Sequence, residues 1–350
     1  MKLKLIHKYI IKELIPVFLM GNISFIAILL LDKLMSLSDL FFTKGIPGWL
    51  IIQTIIFYLP SFLVITIPTS ALLATTFVFG RMSSDSEIIA MRAAGAGKRF
   101  FLKPTMIFAV FVFFFGVVMS IWLMPVGSFH AAQNLISMSK LVSVKDIKEK
   151  EIYEELDGFV FYADKKISNI KYENLMIIEK EENSVITAKA AEITPTGDYS
   201  LLFQLKDGSV LTIREDGKHS KINFNTFAIN VPILGASGVS INTERLMPAG
   251  ELVSNFNTSP IYRFEFSKRF SMPFAAVILC VFGASVGMFF HRSGKSLAIP
   301  STIIVVAVYN TLFMIAENYA KSGSVEPFSA AWVPNAIFAV VSVISYRRAL

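Results

Sequence analysis

Two short stretches of this chain hold the residue types of a phosphate cradle without its spacing. A P-loop needs Gly-x-x-x-x-Gly-Lys-Ser/Thr, so that backbone N–H groups, the lysine and the hydroxyl converge on one anion. At Gly97-Lys98 the upstream glycine is replaced by Arg92 and no hydroxyl follows; at Gly294-Lys295-Ser296 the upstream position is Phe289. Both lie in short loops between apolar runs, without the strand-to-helix context, so the chain carries no nucleotide-hydrolysing site of its own. The four histidines, His7, His130, His219 and His291, are scattered and lack metal-ligand spacing. No nucleophile elbow and no paired intramembrane carboxylates occur. The expectation is a protein that is not an enzyme and has no metal site.

The segment Gly80-Arg-Met-Ser-Ser-Asp-Ser-Glu-Ile-Ile-Ala-Met-Arg-Ala-Ala-Gly-Ala-Gly97 offers recognition instead. Its pattern predicts a short polar helix over about 82–95, with Ile88, Ile89 and Met91 interleaved with Asp85, Glu87 and Arg92. Ser83 or Ser84 would cap its start, and the two acids would complement the positive helix end. It sits between two long apolar runs, so it lies at a membrane face, where a soluble partner can grip it. An ordinary solvated amphipathic loop is the other reading of the same residues.

The elements that position this helix follow from composition. Of 350 residues 54% are hydrophobic and only 17% charged, against about 25% charged in soluble domains. Six apolar runs are long enough for the roughly 20 residues a bilayer requires: about 14–36, 48–79, 104–126, 271–290, 297–320 and 328–346. The first is too long for a signal-peptide core and no Ala-x-Ala-like site follows it, so it reads as a retained helix. Lys/Arg-rich ends and short loops (Lys2, Lys4, Lys8 and Lys12; Arg81, Arg92, Lys98, Arg99 and Lys103; Arg292 and Lys295; Arg347 and Arg348) fall on one side, which the positive-inside rule makes cytoplasmic. Arg263, Lys268 and Arg269 are the exception, at the outer end of the fourth run. Pro60 and Pro68 interrupt the long second run, as a bend that fits the bundle or as a hinge.

Between the third and fourth runs lies a polar region. Residues 140–256 hold 14 basic and 18 acidic side chains, so the excess positive charge belongs to the membrane part and fits anionic headgroups better than nucleic acid. Residues 150–232 predict short strands: 158–162, 175–178, 184–187, 199–205, 209–213 and 222–231. Turn signals at Asp157-Gly158, Thr196-Gly-Asp198, Asp207-Gly208 and Asp216-Gly217 separate them. Such hairpins suggest a sandwich or jelly roll. Residues 127–149 read as an outward continuation of the third run, and 235–260 as a Gly/Ser/Asn-rich return. The lone cysteine, Cys280, excludes an internal disulfide.

Taken together, the loop phrase Gly80–Ile88, Lys268-Arg-Phe-Ser-Met-Pro-Phe-Ala-Ala276, Phe282-Gly-Ala-Ser-Val-Gly287, His291-Arg-Ser-Gly-Lys-Ser296, Glu317 and Ala331-Trp-Val-Pro-Asn335 resemble the LptF/LptG family over nearly the whole chain. These are permease subunits of the lipopolysaccharide-export ABC transporter. The resemblance implies a polytopic α-helical membrane protein of six transmembrane helices, three plus three, around an inserted periplasmic β-jelly-roll domain. The expected division is 1–126, 127–260 and 261–350. It implies a multi-pass protein of the bacterial inner membrane with both termini cytoplasmic. The implied partners are a paralogous six-span permease, a dimeric cytoplasmic ATPase that binds the ATP and magnesium, a single-span periplasmic jelly-roll protein and a periplasmic bridge. No cofactor is expected on this chain. A mechanotransmitting ABC subunit usually has four spans, and a membrane sensor would need a cytoplasmic output module; these are the alternative readings.

The resemblance also assigns roles. Asp85, Glu87, Ile88, Met91 and Arg92 become a coupling helix held in a groove of the ATPase. Lys33, roughly 28 Å along a helix starting near residue 14, reaches outer headgroup level, as do Arg263, Lys268 and Arg269. There they would meet lipid A phosphates, snorkel to ordinary headgroups, or pair locally, as Glu265 with Arg269. Asp32 and Glu317 are assigned to a lateral gate, although Glu317 and Lys321 have the spacing of a simple helix pair. Phe25, Ile26, Leu29, Leu30, Phe62, Ile303, Val306 and Phe313 are candidates for lining an acyl-chain cavity.

Overall fold

The computed structural model describes residues 2–42, 46–143, 149–156, 158–168, 170–179, 184–196, 200–213, 219–232, 243–289 and 294–349. The turn signals at Asp157, Gly197-Asp198 and Asp216-Gly217, the loop residues His291 and Arg292, and the first part of the expected 235–260 return lie outside them. The chain divides into two compact units, one of residues 1–33, 55–130 and 243–350, the other of 34–54 and 131–242.

The first unit is helical. Its elements are α1 (Lys2–Phe42), α2 (Gly48–Ser84), α3 (Glu87–Ala93), α4 (Lys98–Val118), a π-helical turn (Met119–Leu123), α5 (Met124–Ser143), α6 (Thr243–Leu246), α7 (Ala249–Ser254), α8 (Pro260–Phe289), α9 (Gly294–Lys321), α10 (Pro327–Ala330) and α11 (Val333–Ala349); α1, α2 and α5 run on into the other unit. Among the described residues six stretches are long and apolar enough to cross a membrane: Leu5–Leu37, Gly48–Ser84, Arg99–Leu135, Pro260–Phe289, Ala298–Lys321 and Pro327–Arg348. Helix α2 carries Pro60 and Pro68 without interruption.

Helix α8 is the most enclosed of the six, and its sequence explains why. Gly283 and Gly287, one turn apart, face α2 so closely that a Cβ on Gly283 would lie 2.3 Å from Thr75 Oγ1, and one on Gly287 2.6 Å from the Thr76 carbonyl. Small residues at this spacing let membrane helices approach to backbone contact. On another side α8 is stitched to α10 and α11 by polar groups. Ser267 Oγ donates to the Phe328 carbonyl at 2.7 Å and accepts from Trp332 Nε1 at 3.0 Å. Ser271 Oγ donates to the Ala331 carbonyl, and Asn335 Nδ2 donates to the Ser271 carbonyl at 2.8 Å while Asn335 Oδ1 accepts from Tyr309 at 3.1 Å. Buried polar atoms in an apolar bundle must be satisfied internally, so the phrases 268–276 and 331–335 are two sides of one seam.

The second unit holds a six-stranded antiparallel sheet: β1 (Ile152–Leu156), β2 (Phe159–Lys166), β3 (Lys171–Glu179), β4 (Ser184–Thr196), β5 (Ser200–Ile213) and β6 (His219–Pro232), in the order β1-β2-β3-β4-β5-β6. Each strand pairs with its neighbour in sequence, a meander, whereas a jelly roll is built from Greek-key crossings between two sheets. Phe161 and Phe203 stack at 5.0 Å within the buried face. The expected turn at Asp207-Gly208 is absent: 200–205 and 209–213 belong to one strand, β5 (Ser200–Ile213). Gly208 stands opposite Phe224 in the ladder, and a Cβ there would lie 2.5 Å from that ring and 2.0 Å from the Thr187 carbonyl. The glycine makes room for a cross-strand aromatic ring; it does not reverse the chain.

Candidate functional site

The loop between the second and third candidate spans is narrower than its sequence pattern. Helix α2 runs through Ser84, and α3 covers only Glu87–Ala93. Neither Ser83 nor Ser84 caps it. Its N-cap is Ser86, at φ 60° and with no side-chain cap, while Ser83 Oγ donates to the Met288 carbonyl of α8 at 3.2 Å. The C-terminus closes on Gly95 at φ 91°, with Gly95 N–H on the Arg92 carbonyl and Ala96 N–H on that of Met91. This is a Schellman cap, where a left-handed residue terminates the helix and glycine adopts that conformation freely.

Helix spacing sorts the loop's side chains. Ile88, 5% exposed, is inserted in the core shared by α1, α2, α4 and α8, and Met91 packs against the same cluster. Burying an isoleucine contributes about 1.5–3 kcal/mol, so Ile88 anchors the helix and is not available to a partner. Asp85, Ile89 and Arg92 face outward, and Ile89 is 52% exposed. The sequence pattern did not distinguish this exposed isoleucine from its buried neighbour Ile88.

Glu87 is already engaged within the chain. The Tyr9 hydroxyl of α1 donates to its carboxylate at 3.3 and 3.4 Å, and accepts from Arg81 Nη2 at 3.3 Å. Arg81 in turn pairs with Glu13 at 2.9 Å. Tyr9 and Glu13 are one turn apart on α1, so the loop acid, the end of α2 and the first candidate span share one network.

A second charged cluster forms at the start of α8. The sequence placed Arg263, Lys268 and Arg269 outside an apolar run beginning near 271, but α8 begins at Pro260 and these cations lie inside it. The charges do not break the helix because they pair in helical register: Glu265 lies 3.6 Å from Lys268 Nζ and 3.8 Å from Arg269 Nε. Glu317 lies 2.9 Å from Lys321 Nζ, the helix pair its spacing predicted, and 3.5 Å from Lys268 Nζ. Lys268 therefore bridges two carboxylates, over the rings of Phe264 and Phe313.

Arg269 is 1% exposed and donates through Nη2 to the carbonyls of Met247 at 2.8 Å and Glu244 at 3.2 Å. It clamps the α6 region onto α8. Arg263 donates to the Phe256 carbonyl at 3.1 Å. Lys33 Nζ lies 4.5 Å above the Tyr58 ring. Arg245, on α6, is close enough to both Tyr58 and Glu317 to act on each electrostatically. Lys33 touches Tyr58 and Lys268 touches Glu317, and Arg245 acts on both of those partners through space. Arg245 and Tyr58 were missed in the sequence because the first lies in a return segment and the second in an apolar run.

The apolar candidates divide. Phe25, Ile26, Leu29, Leu30, Phe62 and Val306 are half-buried, Ile303 is exposed, and Phe313, 3% exposed, belongs to the core with Phe264 and Tyr309. Asp32 is exposed on α1. Among the described residues no group of three or more His, Cys, Asp or Glu side chains is arranged to hold a metal ion.

Six candidate spans among the described residues, an antiparallel sheet and a short helix in the loop between the second and third spans define a polytopic membrane protein. Residues 8–348 match the family model described as lipopolysaccharide export system permease LptF/LptG, and the chain belongs to that family. It is 21% identical to the lipopolysaccharide export system permease protein LptF of Escherichia coli K12, over 97% of this chain and 94% of that protein. It has the same identity and coverage with the LptF protein of Shigella flexneri. An uncharacterised Rickettsia prowazekii protein, RP871, is 18% identical over 91% of each chain.

Proposed function

We propose that this chain is the inner-membrane permease subunit that draws lipopolysaccharide out of the membrane and passes it to a periplasmic bridge, driven by ATP hydrolysis on a separate subunit. Its six spans are arranged three plus three around a periplasmic β-domain, with both termini cytoplasmic. The observation that carries this reading is the position of α3: a seven-residue helix, pinned into the bundle by Ile88, that turns Asp85, Ile89 and Arg92 outward and holds Glu87 at the end of a network reaching α1. A push on such a helix is transmitted to the first span directly. Asp85, Glu87, Ile89 and Arg92 meet the ATPase, while Ile88 and Met91 fasten the helix to the bundle. A paralogous permease completes the cavity, with Asp32 and Glu317 at the gate between subunits.

Lys33, Arg245, Arg263 and Lys268 form the phosphate-facing side of the substrate entrance, with Phe25, Leu29, Leu30 and Phe62 toward the acyl chains. Arg269 acts by holding α6, and Phe313 by packing under Lys268. Strand β6, which pairs only with β5 among the described residues, gives the periplasmic partner an edge to extend by strand addition. The test is a photo-reactive residue at Lys33, Phe25 or Ile299 in cells. Lipopolysaccharide should be captured from the first two positions and not from the last, an exposed site elsewhere on the bundle. Equal capture at all three, or none at any, would remove the assigned route.

A further inference from the structure

A cavity of about 470 Å³ opens at the end of the bundle where the first and third candidate spans begin, lined by His7, Arg99, Leu102, Lys103, Met106 and Ile107. Its residues play no part in the coupling helix or in the Lys33–Lys268 group. Arg99 and Lys103 lie one turn apart on α4, both exposed, and neither makes an ion pair among the described residues. Leu102, Met106 and Ile107 form the apolar side, with Ile107 58% exposed. His7 packs against Phe100 at 4.7 Å, leaving its Nε2 buried without a hydrogen-bond partner.

Two cations without an ion pair among the described residues, one orphaned polar atom and an apolar wall on one cavity call for an occupant that is anionic at one end and hydrocarbon at the other. A buried polar atom without a partner is costly and calls for one, and basic pockets between spans at the positively charged membrane face suit phospholipid headgroups. We propose that this cavity is a binding site for an anionic glycerophospholipid of the inner leaflet. Its phosphodiester is held by Arg99 and Lys103 beside the His7 ring, with an acyl chain along Leu102, Met106 and Ile107. The site stands apart from the export route and does not rest on the cargo being lipopolysaccharide.

The test uses the purified complex of this chain with its partner subunits, titrated with phosphatidylglycerol and read by native mass spectrometry. Arg99→Gln with Lys103→Gln should lower phosphatidylglycerol retention on the order of 10- to 30-fold, from the loss of two near-surface cations. Ile107→Asn should lower it with the charges intact, and Lys103→Arg should retain it. Millimolar inorganic phosphate should leave the lipid bound. Equal retention by wild type and the double variant would overturn the proposal. Displacement by inorganic phosphate would overturn it too, since the site would then hold a free anion. If the double variant does not assemble, Lys103→Gln alone, at an exposed position, decides by the same criterion.

Discussion

Replacing Arg269 by Met tests whether the charged cluster of α8 is a clamp or an open anion site. The guanidinium is 1% exposed, its Nη2 holds two backbone carbonyls of the α6 region, and its Nε faces Glu265, itself 3% exposed. Removing one member of a buried pair costs about 3–5 kcal/mol, because the other charge is left uncompensated. Lys268 Nζ stays 3.6 Å from the Glu265 carboxylate, so the cost falls at the lower end, about 3 kcal/mol. At about 1.4 °C per kcal/mol for a chain of 350 residues, the melting midpoint of the purified complex should drop by about 4 °C. Adding Glu265→Leu removes the stranded carboxylate, and apolar replacement of a buried pair is often neutral. The double variant should recover most of the loss, leaving about 1 kcal/mol for the carbonyls that lost their donor. Lipopolysaccharide loading should stay low in both variants, because α6 and its Arg245 are no longer tethered. A single variant that melts like wild type, or a double variant no better than the single, would refute the clamp.

Three further outcomes follow from the packing. Tyr9→Phe removes the hydroxyl that joins Glu87 to Arg81; it should cost about 0.5–1.5 kcal/mol of local stability and raise the ATP hydrolysed per lipopolysaccharide released, with ATPase binding kept. Gly287→Val should prevent the close approach of α8 to α2 and sharply reduce recovery of assembled protein, measured by size-exclusion profile, while Val286→Ile, at a half-buried position on the same helix, should be tolerated. Gly208→Val should drive the Phe224 ring from its place and destabilise the sheet by about 1–3 kcal/mol, in the range of overpacking, read by proteolysis between Ser200 and Pro232.

The spans were legible because hydrocarbon imposes length and polarity on them, and both are visible in sequence. The start of α8 was not, since Arg263, Glu265, Lys268 and Arg269 look like the edge of a membrane until their pairing with one another and with Glu317 is seen. The strands were legible in position and partly wrong in connection. Asp207-Gly208 is a strong turn signal, and only the ring of Phe224 opposite explains why the strand continues. On the loop helix the acids and the apolar residues were identified, but not which apolar residue faces inward. Ile88 and Ile89 are adjacent and alike, and the choice between them is made by the core of α1, α2, α4 and α8. Ser83 or Ser84 was expected to cap that helix; neither does, and Ser83 bonds Met288, a partner 205 residues away in sequence.

The central claim, that this chain moves lipopolysaccharide under ATP hydrolysis transmitted through α3, is tested most directly in proteoliposomes. This chain, its paralogous permease and the ATPase are reconstituted with lipopolysaccharide, and ATP-dependent transfer to a soluble periplasmic acceptor is measured beside ATP turnover. The account predicts transfer for the wild type. Ile89→Asp should abolish it by removing the outward apolar contact with the ATPase, whereas Ile337→Asn, on an exposed face of α11, should leave it intact. ATP turnover with no lipopolysaccharide transfer by the wild type, or full transfer by Ile89→Asp, would contradict it.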